Sequence, residues 1–171
     1  MKAVLISICP EWCERIINGQ KTIEVRKTRP KLETTFKCYI YCTKNAKMQF
    51  WTGPRYSYVD DHSHNAFDRC GNGKVIGEFL CDQIIEDRTY GHNEEFYRAA
   101  CVSAYDAAAY AMQSPMYGWH ISDLRVYDHP RELREFYAVP NEVEVALKAK
   151  PKPITRPPQS WRYVEEELWN D

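Results

Sequence analysis

Lys21, Glu24 and Arg26 fall together in the stretch GQKTIEVR, residues 19–26, which sets two cations around one carboxylate. Such a group carries net positive charge. It can hold a phosphate or polarise a carbonyl, while the carboxylate accepts a proton or hydrogen-bonds a base edge. Arg26 offers a planar fork that suits paired phosphate oxygens, and Lys21 a mobile point charge. In a partly dry cleft Lys21 could lose enough proton affinity to serve as base or nucleophile. The plainer alternative is an ion pair on a solvated strand face, contributing less than about 1 kcal/mol.

Other residue types could assist. Trp12, Trp119 and Trp161 could stack on nucleobases, an interaction of about 1–3 kcal/mol per base, with Trp161 the better candidate; tryptophan equally serves as core packing. Gln159 and Ser160 could read a base edge or simply satisfy nearby backbone. His62 and His64 share a segment with Asp60, Asp61, Asp68 and Cys70, the donor types of a transition-metal site, although loop histidines beside aspartates are commonly solvated. Cys9-x3-Cys13 and Cys38-x3-Cys42 lack the C-x2-C spacing of structural zinc. There is no phosphate-binding P-loop, no G-x-S-x-G elbow and no H-E-x-x-H. No metal and no cofactor are expected. His120, between apolar neighbours, reads as a satisfied strand histidine, with the cleft as the alternative.

The elements that position these groups follow from periodicity. KAVLISI (2–8) predicts a buried strand, and Pro10 opens a helix whose apolar face carries Trp12, Cys13, Ile16 and Ile17. Asn18 and Gly19 are expected to end it in the left-handed region. In the strand that follows, alternation sends Ile23 and Val25 to the core and Thr22, Glu24 and Arg26 to the other side, with Lys21 at its entrance. FKCYIYC (36–42) alternates with Phe36, Cys38, Ile40 and Cys42 on a buried face. KVIGEFLCDQII (74–85) predicts one bent strand with Gly77 as a bulge or close-approach point.

Residues 44–73 show no sustained period, yet Phe50, Trp51, Tyr56, Tyr58 and Phe67 make them too aromatic for disorder; a functional loop or lid is expected there. Ser103 with Asp106 predicts a cap for the helix AYDAAAYAMQ. YGWHISDLRVYD (117–128) predicts a strand bulged near Ser122 and Asp123, HPRELREFY a short helix, and EVEVALK an alternating strand. The proline-rich tail, about 150–160, is expected to run extended before a last strand around Tyr163.

The chain has 171 residues, 44% of them hydrophobic, which supports one well-buried core and a single domain over 1–171. Its net charge of −1 hides segregation: Lys21, Arg26, Lys27, Arg29 and Lys31 crowd one segment, and Lys148, Lys150, Lys152 and Arg156 another. Seven cysteines, an odd number, sit mostly among apolar residues and are expected to be reduced. Nothing at the start has signal-peptide anatomy and no apolar run reaches the roughly 20 residues of a membrane span, so a soluble, cytoplasmic protein without a membrane partner is expected. Many alternating strands with few short helices favour an α+β arrangement, a small β-barrel or half-barrel with helices at its ends.

The helix P-x-W-x-x-x-I-x-x-G followed by G-x-K-T-I-E-x-R resembles the ASCH domain, a branch of the PUA-like superfamily. WHISDLRVYDHPRELREFY and RPPQSWRYVEE are similar to a subgroup often encoded in bacterial and phage genomes. The resemblance spans residues 4–27, 74–86 and 117–164. It implies a pseudo-barrel with a cleft over the Lys21–Arg26 strand, and an RNA- or nucleotide-binding protein, some members being hydrolases. In the branch that acts on acetylated cytosine nucleosides, a lysine matching Lys21 is catalytic, with a hydroxyl residue matching position 24 and a later glutamate. Here position 24 is Glu, and Glu94 and Glu95 are the candidates for the later carboxylate. The expected partner is RNA, a nucleotide or a modified nucleoside, held by Lys21, Glu24, Arg26, Trp12, Gln159, Ser160 and Trp161. The alternatives are a small amidohydrolase or ribonuclease using Lys21 and Glu24, and a protein partner docked on the aromatic loop 48–70.

Overall fold

The apolar run at the start folds as β1 (Lys2–Ile8), and every residue after Lys2 is buried. A strand covered on both faces belongs in the middle of a sheet. Accordingly β1 lies between β3 (Phe36–Cys42), to which it is parallel, and β8 (Trp161–Glu165), to which it is antiparallel. With β4 (Val75–Cys81) and β7 (Ser122–Arg131) they form a five-stranded sheet of order β7-β4-β3-β1-β8. The computed structural model describes residues 1–45, 47–50, 52, 70–89, 92–112 and 114–166.

One face of that sheet carries Val4, Ile6, Ile8, Phe36, Cys38, Ile40 and Cys42, as the alternation requires, and packs on Cys13, Ile16 and Trp119. The other carries Ala3, Leu5, Tyr39 and Tyr41 against Leu133, Phe136 and Ile154. A smaller sheet, order β2-β6-β5, is built from β2 (Ile23–Arg26), β6 (Met116–His120) and β5 (Ile84–Asp87). Two helices, α2 (Glu94–Ala100) and α3 (Ala104–Ala111), meet it through a third cluster that includes Ile23, Phe96, Ala107 and Met116.

The first helix, α1 (Pro10–Ile17), starts on Pro10 and buries Cys13 and Ile16. Only Gly19, at φ 71°, enters the left-handed region; Asn18 stays at φ −78°. The fold class is α+β, but among the described residues the strands form two sheets and no closed barrel.

Four sequence expectations are corrected. KVIGEFLCDQII is two strands in different sheets, β4 and β5, because the chain crosses from one sheet to the other at Asp82 and Gln83. Gly77 is nevertheless a close-approach point: a Cβ there would lie 2.4 Å from the Arg125 carbonyl oxygen, and the β4–β7 register shifts beside it. YGWHISDLRVYD likewise divides at Ile121 into β6 and β7, with Asp123 at φ 44°. EVEVALK is a helix, α4 (Glu142–Ala146), nucleated by a capping box between Asn141 and Glu144 that outweighs the two-residue alternation. HPRELREFY contributes only the 3-10 turn Leu133–Glu135, with His129 to Arg131 inside β7.

The tail runs extended and is pinned at intervals: Ala138 N–H donates to Lys152 O, Ile154 N–H to Phe136 O, and Ser7 N–H to Ser160 O. Asn72 ties the ends of the 44–73 segment, accepting from Phe50 N–H at 2.7 Å and donating to Met48 O at 2.9 Å. Trp51, Tyr56, Tyr58 and Phe67, with His62, His64, Asp60, Asp61 and Asp68, lie outside the described residues. All seven cysteines are free thiols. Burial pushes Cys13 and Cys38 well above the usual thiol range and Cys81 up to about 12, so these three stay neutral at pH 7. No helix among the described residues is long and apolar enough to cross a membrane.

Candidate functional site

The end of α1 fixes the start of the motif. Gln20 and Lys21 both donate their backbone N–H to Arg15 O, and Thr22 N–H reaches Ala99 O, so the chain enters β2 with Lys21 turned inward. Lys21 is 3% exposed and Glu24 6%, which excludes a solvated ion pair. Lys21 Nζ donates to Ala100 O at 2.7 Å, lies 3.4 Å from Glu24 Oε2 and stands 5.3 Å from the Trp12 ring centre. Arg26 Nη2 bonds Glu24 Oε1 at 2.8 Å and Ser7 O at 2.7 Å; its Nη1 reaches Ser160 Oγ at 3.5 Å. Each carboxylate oxygen of Glu24 therefore faces one cation, and the triad carries one net positive charge. Arg26 Nε is buried with no partner among the described residues.

These groups line a cavity of about 360 Å³. Lys21, Glu24, Val25 and Arg26 form one side, Ser7, Ile8, Cys9 and Trp12 a second, and Val102, Asp106, Ala107 and Tyr110 a third. Most of that surface is hydrocarbon or aromatic, with the charges gathered on β2. Such a bay accepts a flat, partly apolar group and offers it a carboxylate and a guanidinium edge.

No family profile matches the chain, and neither does any curated protein. Solved structures do. The ASCH protein from Zymomonas mobilis superposes with a TM-score of 0.59 over 96% of this chain and 88% of its own, at 18% identity. A tyrosine-to-phenylalanine variant of that protein gives 0.59 over 97% and 92%, at 17% identity. A serine-to-alanine variant gives 0.54 over 96% and 89%, also at 17%. The chain has the ASCH fold.

Within this ASCH fold, four of the residues singled out in the sequence meet at one cavity: Lys21, Glu24, Arg26 and Trp12. Ser160 touches the cluster only through its long contact with Arg26. Trp161 packs on Trp119 and Tyr163, with ring centres 5.7 and 5.4 Å away, and its Nε1 donates to Thr28 Oγ1 at 3.0 Å. Trp161 is not among the residues lining this cavity, and Gln159 lines a different one. Trp119 is wholly buried. Glu94 and Glu95 are exposed in the first turn of α2 and line neither cavity. His120 faces Asp82 at 2.6 Å, and that hydrogen bond holds the Asp82 carboxyl below its ordinary range. The second basic stretch is exposed, and Lys152 bonds Glu144.

Sequence reasoning missed the α3 wall. Tyr110 is 43% exposed, with Lys27 Nζ 4.8 Å from its ring centre. Asp106, anticipated only as a cap partner, also lines the cavity while bonded to Ser103. The available signal was two large tyrosines in an alanine-rich helix, Tyr105 and Tyr110, more aromatic surface than so small a helix needs for packing.

Proposed function

We propose that this chain binds RNA or a nucleotide, including modified nucleosides, in the cavity over Lys21, Glu24 and Arg26. The observation that carries this reading is the convergence of the three ionisable groups on one concavity, with the carboxylate held between the cations. Glu24, fixed on both oxygens, keeps lone pairs that a base amino or ribose hydroxyl can use. The unpartnered Arg26 Nε is a donor whose burial costs about 1–3 kcal/mol until an acceptor meets it, and a ligand oxygen would supply one. Trp12 and Tyr110 both line the cavity and offer aromatic faces for stacking.

The test is a titration with single-stranded RNA, nucleotides and acylated nucleosides at several salt concentrations. Binding that weakens as salt rises, and weakens again in Tyr110→Ala with thermal stability unchanged, is the expected result. Binding indifferent to both salt and Tyr110 would remove the reading.

The buried contact between Lys21 Nζ and Glu24 Oε2 favours a second reading, a small hydrolase of nucleoside amides or RNA in which this pair handles protons. Lys21→Arg, which keeps the charge, should then abolish turnover while sparing affinity. Equal turnover in the variant, or none in the parent protein on acylated nucleosides and RNA, removes it.

A further inference from the structure

A second cavity, of about 680 Å³, lies on the face of the five-stranded sheet where Tyr41 packs with Leu133 and Ile154, away from the Lys21 site. Those three residues are buried and make an apolar floor, to which Pro157 and Pro158 of the tail add. Lys44 and Arg134 also line it, both exposed and with no ion pair among the described residues. The Lys44 stem is seated on Gly73, where a Cβ would come 2.8 Å from Lys44 Cε. Among the described residues Glu132 is the one carboxylate in the lining, and it is engaged by Lys74 at 3.6 Å and by the cap of the 3-10 turn. Burial raises the Tyr41 phenol above its ordinary range, so it adds no negative charge at neutral pH. The result is an apolar floor under a cationic rim, with charge for an anion and hydrocarbon for its body.

The donor set narrows the choice of anion. Phosphate sites commonly gather several backbone N–H groups at a helix N-terminus or in a nest. Here the amides of Thr43, Gly73 and Ile154 donate to Ile8 O, Cys42 O and Phe136 O, and Pro157 and Pro158 have no N–H to give. The donors that remain are chiefly side chains: a guanidinium fork, an ammonium, two threonine hydroxyls and the Gln159 amide. A carboxylate meets a guanidinium through two parallel hydrogen bonds and needs few further donors. Among the described residues Tyr41 is the one aromatic ring in the lining, and it is buried in the floor. A nucleobase therefore finds no exposed face to stack on, and the body that fits is aliphatic.

We infer that this cavity binds an aliphatic carboxylate, carried either by a small di-acid or by a glutamate side chain of a peptide. Arg134 takes the paired oxygens, Lys44 supplies the second cation, and the methylene body lies on Leu133, Ile154 and Pro158. The site is independent of the reading of the Lys21 cavity.

The test titrates the full chain with glutarate, its neutral diamide, glycerol phosphate and an N-acetylated, C-amidated Ala-Glu-Ala peptide, by calorimetry and ligand-observed NMR up to about 10 mM. Glutarate should bind, the diamide should not, and glycerol phosphate should bind at least about tenfold more weakly than glutarate. Arg134→Gln should weaken glutarate binding at least about tenfold and Lys44→Gln by less, with both variants melting like the parent. The peptide separates the sources: tighter binding than glutarate assigns a protein-borne glutamate, and anything else a free di-acid. Glycerol phosphate that matches or exceeds glutarate overturns the carboxylate assignment. Glutarate affinity unchanged in the double variant Lys44→Gln, Arg134→Gln, or no binding of any probe, overturns the site.

Discussion

In the first cavity the cations are tied down, since Lys21 and Arg26 share Glu24 and donate to the carbonyls of Ala100 and Ser7, whereas in the cavity that Gln159 lines Lys44 and Arg134 are exposed, with no carboxylate on them among the described residues. Residue type alone makes the two pairs look alike. What separates them is desolvation. A charge taken out of water is held by its partners, and removing one partner strands the others; an exposed charge can be removed or engaged by a ligand at little structural cost. The first pair is therefore part of the framework that shapes the bay, and the second pair lies outside that framework.

Lys21→Met gives the largest expected effect, a loss of about 3–5 kcal/mol in urea unfolding, because Glu24 keeps only Arg26 and the Ala100 carbonyl loses its donor. Lys44→Ala and Arg134→Ala should each stay within about 0.5 kcal/mol of the parent. Similar losses in all three would erase the contrast between the cavities. Next in size, Tyr110→Ala should weaken oligonucleotide binding by about 1–3 kcal/mol with no change in melting temperature, measured by anisotropy and calorimetry. Ser7→Ala removes the hydroxyl that holds Pro158 and should cost about 1 kcal/mol of stability by chemical unfolding.

The smallest effect belongs to a control outside both cavities. His120 lowers the Asp82 carboxyl pKa, so the pair's contribution is present above the unfolded carboxyl value, about 3.9, and is lost as pH falls through the lower folded value. Both groups are more than a third exposed, and screening keeps the effect below about 1 kcal/mol. Asp82→Asn should flatten the acid limb of the stability profile only slightly.

Local signals were legible where local physics decides. Pro10 and Gly19 bracket α1, the apolar run gives β1, and alternation gives the buried face of β3. The spacing of Lys21, Glu24 and Arg26 marked the strand that carries the charges, although alternation alone put Glu24 outside the core and burial puts it inside. Sheet membership was not legible: nothing within KVIGEFLCDQII states that its halves pair with different partners, because those partners lie far away in sequence. The EVEVALK segment misled because its alternation was weighed before its cap, and Asn141 with Glu144 was the stronger sign. The place of Tyr110 depends on α3 docking beside β2, a long-range packing result that helix propensity does not contain. The two-cavity arrangement was illegible for the same reason, as it needs Ser7, Lys44, Arg134 and Gln159 brought together from four separate segments.

The position of β1 between β3 and β8 has a consequence for synthesis. This strand obtains its second neighbour only when residues 161–165 emerge from the ribosome, and until then one side of it is a bare row of amide donors and acceptors. A nascent chain halted short of Trp161 would expose that row on a largely apolar strand, and two such chains could zip together edge to edge.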